Sequence, residues 1–89
     1  IILESRNGVL YTVPVVIRPE RMPEEMTVRF RVGAVYKNCY ISCYFDEERV
    51  LHKKRTILAP GEMEQIKLTK EQILNASSLR KISILIEEE

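Results

Sequence analysis

Short stretches of this chain alternate apolar and polar residues with a period of two. In the segment 26–32, every second residue is apolar: Met26, Val28, Phe30 and Val32. Successive residues of a strand point to opposite sides of a sheet, so this spacing predicts a strand with one buried face. The segment 39–45 has the same pattern, and its inward positions are Cys39, Ile41, Cys43 and Phe45. Further strands are predicted at 1–4, 9–17, 50–57, 63–68 and 82–86.

Turn-forming residues separate these strands. Asn7-Gly8 predicts a two-residue hairpin between the first two strands, because a type I′ turn needs positive φ at both central positions. Pro14 interrupts the second strand, which places that strand at a sheet edge or at a kink where the chain changes sheets. Pro60-Gly61 is typical of a type II turn.

Two further signals complete the predicted order of elements. Lys37-Asn38 is predicted to be the turn before the strand 39–45. Thr69 and Gln72 have the spacing of a capping box, which predicts one short helical turn near 69–75, with Leu74 packed on the sheet. The chain is therefore predicted to be a single domain over 1–89, an all-β, antiparallel sandwich of immunoglobulin or fibronectin type with six to seven strands.

The charges of the chain nearly balance. Lys and Arg together number 14 and Asp and Glu 13, which gives a net charge of +1. This balance disfavours nucleic acid and anionic membranes as partners, and the apolar run 11–17 is too short to span a bilayer. The chain lacks an initiator Met and begins in apolar sequence, so we expect a piece cut from the C-terminus of a longer protein.

The two cysteines are predicted to be free. Cys39 and Cys43 are four residues apart, which places their Cα atoms about 13 Å from each other on one strand. A disulfide needs about 4.4–6.8 Å between these atoms. Their shared inward face predicts buried thiols, a state that fits a reducing cytoplasm.

Catalytic and ligand-binding signatures are missing from the sequence. His52 is the one histidine, and no carboxylate or nucleophile lies at a sequence spacing from it that is typical of a catalytic motif. We therefore expect a solvent-exposed histidine on an edge strand. A structural zinc site needs four ligands, which two Cys and one His do not supply. No glycine-rich phosphate-binding motif occurs. We expect no catalytic, cofactor-binding or metal-binding residue.

One group of residues is a candidate interaction site. If the strands 26–32, 39–45 and 50–57 are neighbours, their outward faces bring together Arg29, Arg31, Tyr40, Tyr44, Lys53 and Arg55. Arginine and aromatic residues are enriched in protein interfaces, so we hypothesise a protein-docking face. Two alternatives stay open. One is cross-strand pairing on a solvated face, and the other is stacking of single-stranded nucleic acid, which the acidic residues 46–48 disfavour.

The segments Tyr11–Glu20, Thr27–Val32 and Leu58–Glu64 together resemble part of a known family. The chain is similar over nearly its whole length to the C-terminal segment of bacterial FAD-dependent oxidoreductases of the pyridine nucleotide-disulfide type. The resemblance implies a longer protein that binds FAD and NAD(P) through upstream Rossmann-type domains. It transfers no cofactor residue to this chain, and it does not make Cys39 and Cys43 the redox cysteines of that family.

Two hypotheses about function follow. In the first, the chain is a non-catalytic C-terminal module of such an oxidoreductase, and it packs on the upstream catalytic domains, dimerises or docks a partner subunit. In the second, it is a stand-alone or surface immunoglobulin-like module that binds proteins and has no redox role. Flavin absorbance of the full-length gene product would separate the two.

Overall fold

The computed structural model of the chain describes residues 1–76 and 78–88, so Ser77 and Glu89 of the predicted domain lie outside the described residues. The described residues form seven strands: β1 Ile2–Ser5, β2 Val9–Val13, β3 Glu25–Val32, β4 Tyr36–Phe45, β5 Glu48–Leu58, β6 Glu64–Thr69 and β7 Lys81–Glu87. They also form a short 3-10 helix, η1, at Pro19–Arg21 and one α-helix, α1, at Lys70–Asn75.

The strands form two sheets that face each other. One sheet has four strands in the order β1-β7-β4-β5, and the other has three in the order β2-β3-β6. The predicted all-β sandwich is confirmed. The paired strands are antiparallel except β1 and β7, which are parallel. This parallel pair departs from the predicted antiparallel arrangement.

The core lies between the sheets and consists mainly of residues from the predicted inward faces. Val28, Phe30 and Val32 of β3 face Ile41 and Cys43 of β4, and all are buried. Ile82, Ile84 and Ile86 of β7 close the same core. Burial of alternate apolar side chains supplies most of the driving force for a two-layer fold of this kind.

The predicted hairpin at Asn7-Gly8 is wrong. A turn does form there, because Val9 N donates to Arg6 O at 2.9 Å. Of its two central residues, Gly8 alone has positive φ (+92°), which matches a type II turn and not type I′. A type II turn splays the flanking strands, so the chain passes from β1 in one sheet to β2 in the other.

The two alternatives predicted for Pro14 both occur. β2 ends at Val13 and lies at the edge of its sheet. After Pro14 the chain changes sheets, because Leu3 N of β1 donates to Val15 O at 2.9 Å and Ile17 N donates to Ile1 O at 2.8 Å. The segment 15–17 therefore covers the outer edge of β1.

Two predicted turns differ from the structure. Lys37 and Asn38 lie inside β4, where Asn38 takes a positive φ of 50°, and the bend comes earlier, at 33–34. At the second turn, Glu62 N donates to Ala59 O at 3.1 Å. Gly61 lacks the positive φ that a type II turn requires, so that assignment is wrong.

The predicted capping box is present at the start of α1. The Thr69 hydroxyl accepts from Gln72 N at 3.1 Å, and Gln72 Oε1 accepts from Thr69 N at 2.9 Å. Ile73 of the helix is buried, but Leu74 is exposed, which contradicts its predicted packing on the sheet. Within the described residues, no helix combines the length and apolar character needed to cross a membrane.

Candidate functional site

The structure divides the predicted docking face among three surfaces. The prediction required β3, β4 and β5 to be neighbours, but β3 belongs to the three-stranded sheet and the other two to the four-stranded sheet. The six residues separate in pairs: Arg29 and Arg31 on the outer side of β3, Tyr40 and Tyr44 on the outer side of β4, and Lys53 and Arg55 on the inward side of β5. The single face is therefore wrong, because residue type does not determine which sheet a strand joins.

The β3 arginines have neighbours on their own sheet. Val13 and Tyr11 of β2 stand opposite Arg29 and Arg31, respectively. The Arg31 guanidinium donates to the carbonyl oxygen of Gly61 at 3.2 Å. Arg31 thus holds the turn at 59–62 against the three-stranded sheet.

Arg55 has a structural partner across the gap between the sheets. Its guanidinium donates to a carboxylate oxygen of Glu64 on β6, and Glu64 is buried. Lys53 pairs with Ile41, and Arg55 pairs with Cys39. Because paired residues point to the same side of a sheet, both β5 residues lie on the side that faces the other sheet. They lie at the open edge between the sheets, where a long side chain reaches solvent.

A polar cluster lies on the outer face of the four-stranded sheet. Ser42 Oγ and His52 Nδ1 are 2.7 Å apart, and the same ring nitrogen lies 3.6 Å from Glu87 Oε1. The Tyr44 hydroxyl donates to Glu87 Oε2 at 3.0 Å. Tyr40 stacks on the His52 ring, with centroids 4.0 Å apart. The histidine is therefore half-buried in a cluster, which corrects the expectation of a solvent-exposed side chain.

The geometry of this cluster does not match a nucleophilic triad. In a triad, the nucleophile and the carboxylate contact different nitrogens of the imidazole ring. Here Ser42 and Glu87 both approach Nδ1 of His52. Ser42 is also completely buried, so a substrate could not reach its hydroxyl. The side chains of the cluster instead form hydrogen bonds and charge contacts with one another within the sheet.

Glu87 is the ionised member of this cluster. The neighbouring Ser42 hydroxyl is the largest influence that lowers the pKa of Glu87, and the Tyr44 hydroxyl, Arg49 and His52 lower it further against the effect of burial. Arg49 and His52 each lie 3.6 Å from Glu87 Oε1. Among the described residues, this buried oxygen has no partner within hydrogen-bonding distance. Opposite charges and hydroxyl donors favour the carboxylate form.

The two cysteines are free and buried, as predicted. Desolvation raises the pKa of Cys43 to about 12 and is also the main cause that raises the pKa of Cys39. A thiol in this state is a poor nucleophile, since the thiolate is the reactive form. In the part of the chain that the structure describes, no group of three or more His, Cys, Asp or Glu side chains is placed to hold a metal ion.

A second candidate site lies at one end of the sandwich. At this end, β6 runs into α1, and the segment 15–17 crosses from β2 to β1. The helix α1 contacts η1, so the loops that follow β2 and β6 lie side by side. Ile2, Val16 and Leu74 are exposed here at 62%, 50% and 62%. We call these three side chains and the two grooves beside them the end face.

The two grooves of the end face carry opposite charge. The first, of about 490 Å³, is lined by Phe45, Val50 and Leu79 together with Asp46, Glu47 and Glu48. The second, of about 480 Å³, is lined by Val16, Met22, Pro23 and Met26 together with Arg18 and Arg21. We call them the acidic groove and the arginine groove. An apolar floor with a charged rim is the usual anatomy of a protein-binding surface.

Sequence reasoning missed both sites. The end face combines the connection between β2 and β3, the turn between β4 and β5, and the segment that follows β6, and the alternating pattern does not show that these segments lie together. The polar cluster depends on one β-bulge, which shifts the register between β4 and β5. Comparison of the chain with protein-family models, with curated proteins and with solved structures found no match to any of the three.

Proposed function

We propose that this chain is a non-catalytic protein-docking module whose binding surface is the end face. The observation that carries the proposal is the pair of grooves at one end of the sandwich, each lined by apolar and charged side chains, with Ile2, Val16 and Leu74 exposed at the same end. Covering exposed aliphatic side chains is favourable by about 25 cal/mol for each Å² removed from water. Rimmed apolar surfaces of this kind mark interaction sites.

The outer face of the four-stranded sheet supports this assignment by contrast. Its polar groups contact one another: Ser42 pairs with His52, Tyr44 with Glu87, and Tyr40 stacks on His52. These polar groups, apart from Glu87 Oε1, already have partners within the sheet and gain little from a second protein, because binding only exchanges one set of hydrogen bonds for another.

The protein that carries the module is proposed from the sequence resemblance. It is a FAD- and NAD(P)-dependent oxidoreductase, in which this domain packs on the catalytic body, dimerises or docks a subunit. The module itself binds neither cofactor. Its compartment is the cytoplasm, and the support for this is the pair of buried free thiols, Cys39 and Cys43, which are typical of reducing conditions.

Two matched substitutions in the full-length gene product test the docking surface. Val16→Asp places a charge on the end face, whereas Ile57→Asp places one at a position of β5 away from that face. The two side chains are almost equally exposed, at 50% and 51%. We expect Val16→Asp to weaken the contact of the domain with its partner, seen as faster proteolytic release or loss of an oligomer, while Ile57→Asp leaves it unchanged. Equal effects of the two variants would contradict the proposal.

The absorbance spectrum of the same preparation tests the oxidoreductase assignment separately. A yellow protein with a flavin spectrum is the expected result. A colourless full-length protein that takes up no FAD would contradict the assignment and would leave the docking surface to be judged by the two variants.

A further inference from the structure

The charged residues that line the two grooves of the end face are segregated by sign. The acidic groove is lined by Asp46, Glu47 and Glu48, and the arginine groove by Arg18 and Arg21. Asp46 is engaged within the chain, because its carboxylate accepts from the backbone nitrogens of Arg80 and Lys81. Over residues 1–76 and 78–88, the other four side chains form no ion pair. Their charges are therefore available to a partner.

The two grooves also lie at the same end of the molecule. The acidic groove lies between the β4–β5 turn and α1, and the arginine groove lies between the segment 14–18 and residues 21–26, which lead from η1 into β3. Since α1 contributes residues to the acidic groove, η1 contributes Arg21 to the arginine groove, and α1 contacts η1, the elements that line the two grooves are adjacent at this end. A surface with one acidic and one basic depression side by side is complementary to a copy of itself turned by a two-fold rotation.

We propose that the partner of the end face is a second copy of this chain, related by a two-fold axis. The acidic groove of each copy meets the arginine groove of the other. The two-fold axis therefore gives two identical contacts between an acidic groove and an arginine groove. This inference rests on the proposed docking function and names its partner. Complementary charge of this kind selects the correct partner and register, because any shifted arrangement brings like charges together.

The apolar residues of the end face fit the same arrangement. The acidic groove has an apolar lining of Phe45, Val50 and Leu79, and Val16 lines the arginine groove. In the two-fold dimer, the apolar lining of the acidic groove of one copy faces the apolar lining of the arginine groove of the other. Burial of these side chains supplies attraction, and the charged rims set the orientation.

The size of the end face indicates a weak, dynamic dimer. The molecule measures 36 × 22 × 18 Å between Cα extremes, and its 10- and 11-residue strands, β4 and β5, run along the long axis. The end face therefore has a cross-section of about 22 × 18 Å, which is smaller than the ~800 Å² that each partner contributes to a standard interface. Association is expected at high micromolar protein concentration and should weaken as salt screens the rims.

Charge-swap variants test the dimer. Variant A carries Arg18→Glu and Arg21→Glu, and variant B carries Glu47→Lys and Glu48→Lys. Each variant alone has two rims of the same sign and is expected to dimerise at least tenfold more weakly than wild type in sedimentation equilibrium. An equimolar mixture of the two is expected to restore a dimer of twice 10.4 kDa, because each groove of one variant then opposes a groove of opposite sign on the other. The combined fourfold variant should also dimerise.

A matched control separates groove charge from net charge. Arg29→Glu with Lys54→Glu changes the net charge as much as variant A does, but at exposed positions on the outer faces of the two sheets. This control is expected to dimerise like wild type. Circular dichroism and a thermal melt establish that each variant is folded before its mass is measured.

Three results would overturn the dimer. They are a wild-type chain that is monomeric at every concentration, a mixture of A and B that stays monomeric, and a control pair as weak as variant A. If Val16→Asp still weakens the contacts of the full-length protein in the first case, the docking function stands and the identity of its partner is wrong. If Val16→Asp has no effect either, both proposals fail.

Discussion

Arg55 and Glu64 form an ion pair that joins the two sheets of the sandwich. The guanidinium Nη1 and the carboxylate Oε1 are 2.5 Å apart, and the Glu64 side chain is only 6% exposed while that of Arg55 is 33% exposed. β5 and β6 are edge strands of different sheets, so this contact closes one open side of the sandwich. Because the Glu64 carboxylate is buried, water could not take the place of the Arg55 guanidinium if that group were removed.

Removal of the arginine is therefore expected to be costly. Arg55→Ala leaves the Glu64 carboxylate buried and unpaired, and we expect a loss of about 2–3 kcal/mol in the free energy of unfolding, below the ~3–5 kcal/mol of a fully buried pair because Arg55 is partly exposed. Urea denaturation measures this loss. Arg29→Ala, at an exposed position, is expected to change stability by less than about 0.5 kcal/mol. Equal losses of unfolding free energy in Arg55→Ala and Arg29→Ala would show that the ion pair does not stabilise the fold.

Gly8 and Gly61 are predicted to respond oppositely to alanine. A Cβ at Gly8 would lie 2.6 Å from the Tyr36 hydroxyl oxygen, and the φ of +92° there is unfavourable for any L side chain. Gly8→Ala is expected to destabilise the fold by about 1–3 kcal/mol. A Cβ at Gly61 meets no atom within 4 Å and φ is not positive, so Gly61→Ala is expected to be neutral or to stabilise by about 0.4–1 kcal/mol. Thermal melts compare the two, and a destabilised Gly61→Ala would contradict this account.

Glu87 is predicted to make stability depend on pH in the acid range. Its pKa in the folded state lies below the ordinary value of 4.5, so the folded state favours the ionised form relative to the unfolded chain. The resulting stabilisation is complete above pH 4.5 and is lost as the pH falls through the folded-state pKa. We expect Glu87→Gln to flatten this part of the curve of unfolding free energy against pH, and Glu88→Gln, at the next, exposed position, to leave it unchanged. A wild-type curve that coincides with that of Glu87→Gln would exclude the effect.

Cys43 is predicted to be nearly inert to thiol reagents in the folded protein. Burial raises its pKa from 9.0 to about 12, which lowers the thiolate fraction near neutral pH by about 10³-fold. Because Cys39 is also buried with a raised pKa, we expect both thiols to react with Ellman's reagent at the rate of local unfolding. The denatured chain in urea, the reference, should release two equivalents at once. Rapid release of one equivalent from the native protein would contradict the burial of that cysteine.

The alternation of apolar residues was enough to predict most strands and their inward faces. Val28, Phe30 and Val32 are completely buried as predicted, because the two-residue period is a local property of an extended backbone. The capping box at Thr69 was predictable for the same reason, since its hydrogen bonds join residues within one turn.

The pairing of strands was not predictable in the same way. Arg29 and Tyr40 were expected on one face, yet they lie in different sheets. Each sheet buries one face of its strands, so the alternating pattern of a strand does not indicate which sheet the strand joins. The first two strands show the same limit, because the turn at Asn7-Gly8 leads from β1 in one sheet to β2 in the other, where sequence preference predicted a hairpin.

The polar cluster depends on a single extra residue. The turn after Phe45 pairs Tyr44 with Arg49, and continuation of that register would place Leu51 opposite Ser42. A bulge between Cys43 and Tyr44 shifts the register by one, so that His52 stands opposite Ser42 instead. A bulge leaves no reliable mark in the sequence, which explains why the contact between Ser42 and His52 was not anticipated.

The sequence by itself determined that this chain forms short half-buried strands with a sandwich core and two reduced, buried cysteines, because those properties follow from the period and the apolar character of neighbouring residues. Only the tertiary structure decided which strands share a sheet, that Arg55 forms an ion pair with Glu64, and that the acidic groove and the arginine groove lie at the same end of the sandwich. These features join residues distant along the chain, and their positions are set by turn geometry and register, which depend on the packing of the whole fold.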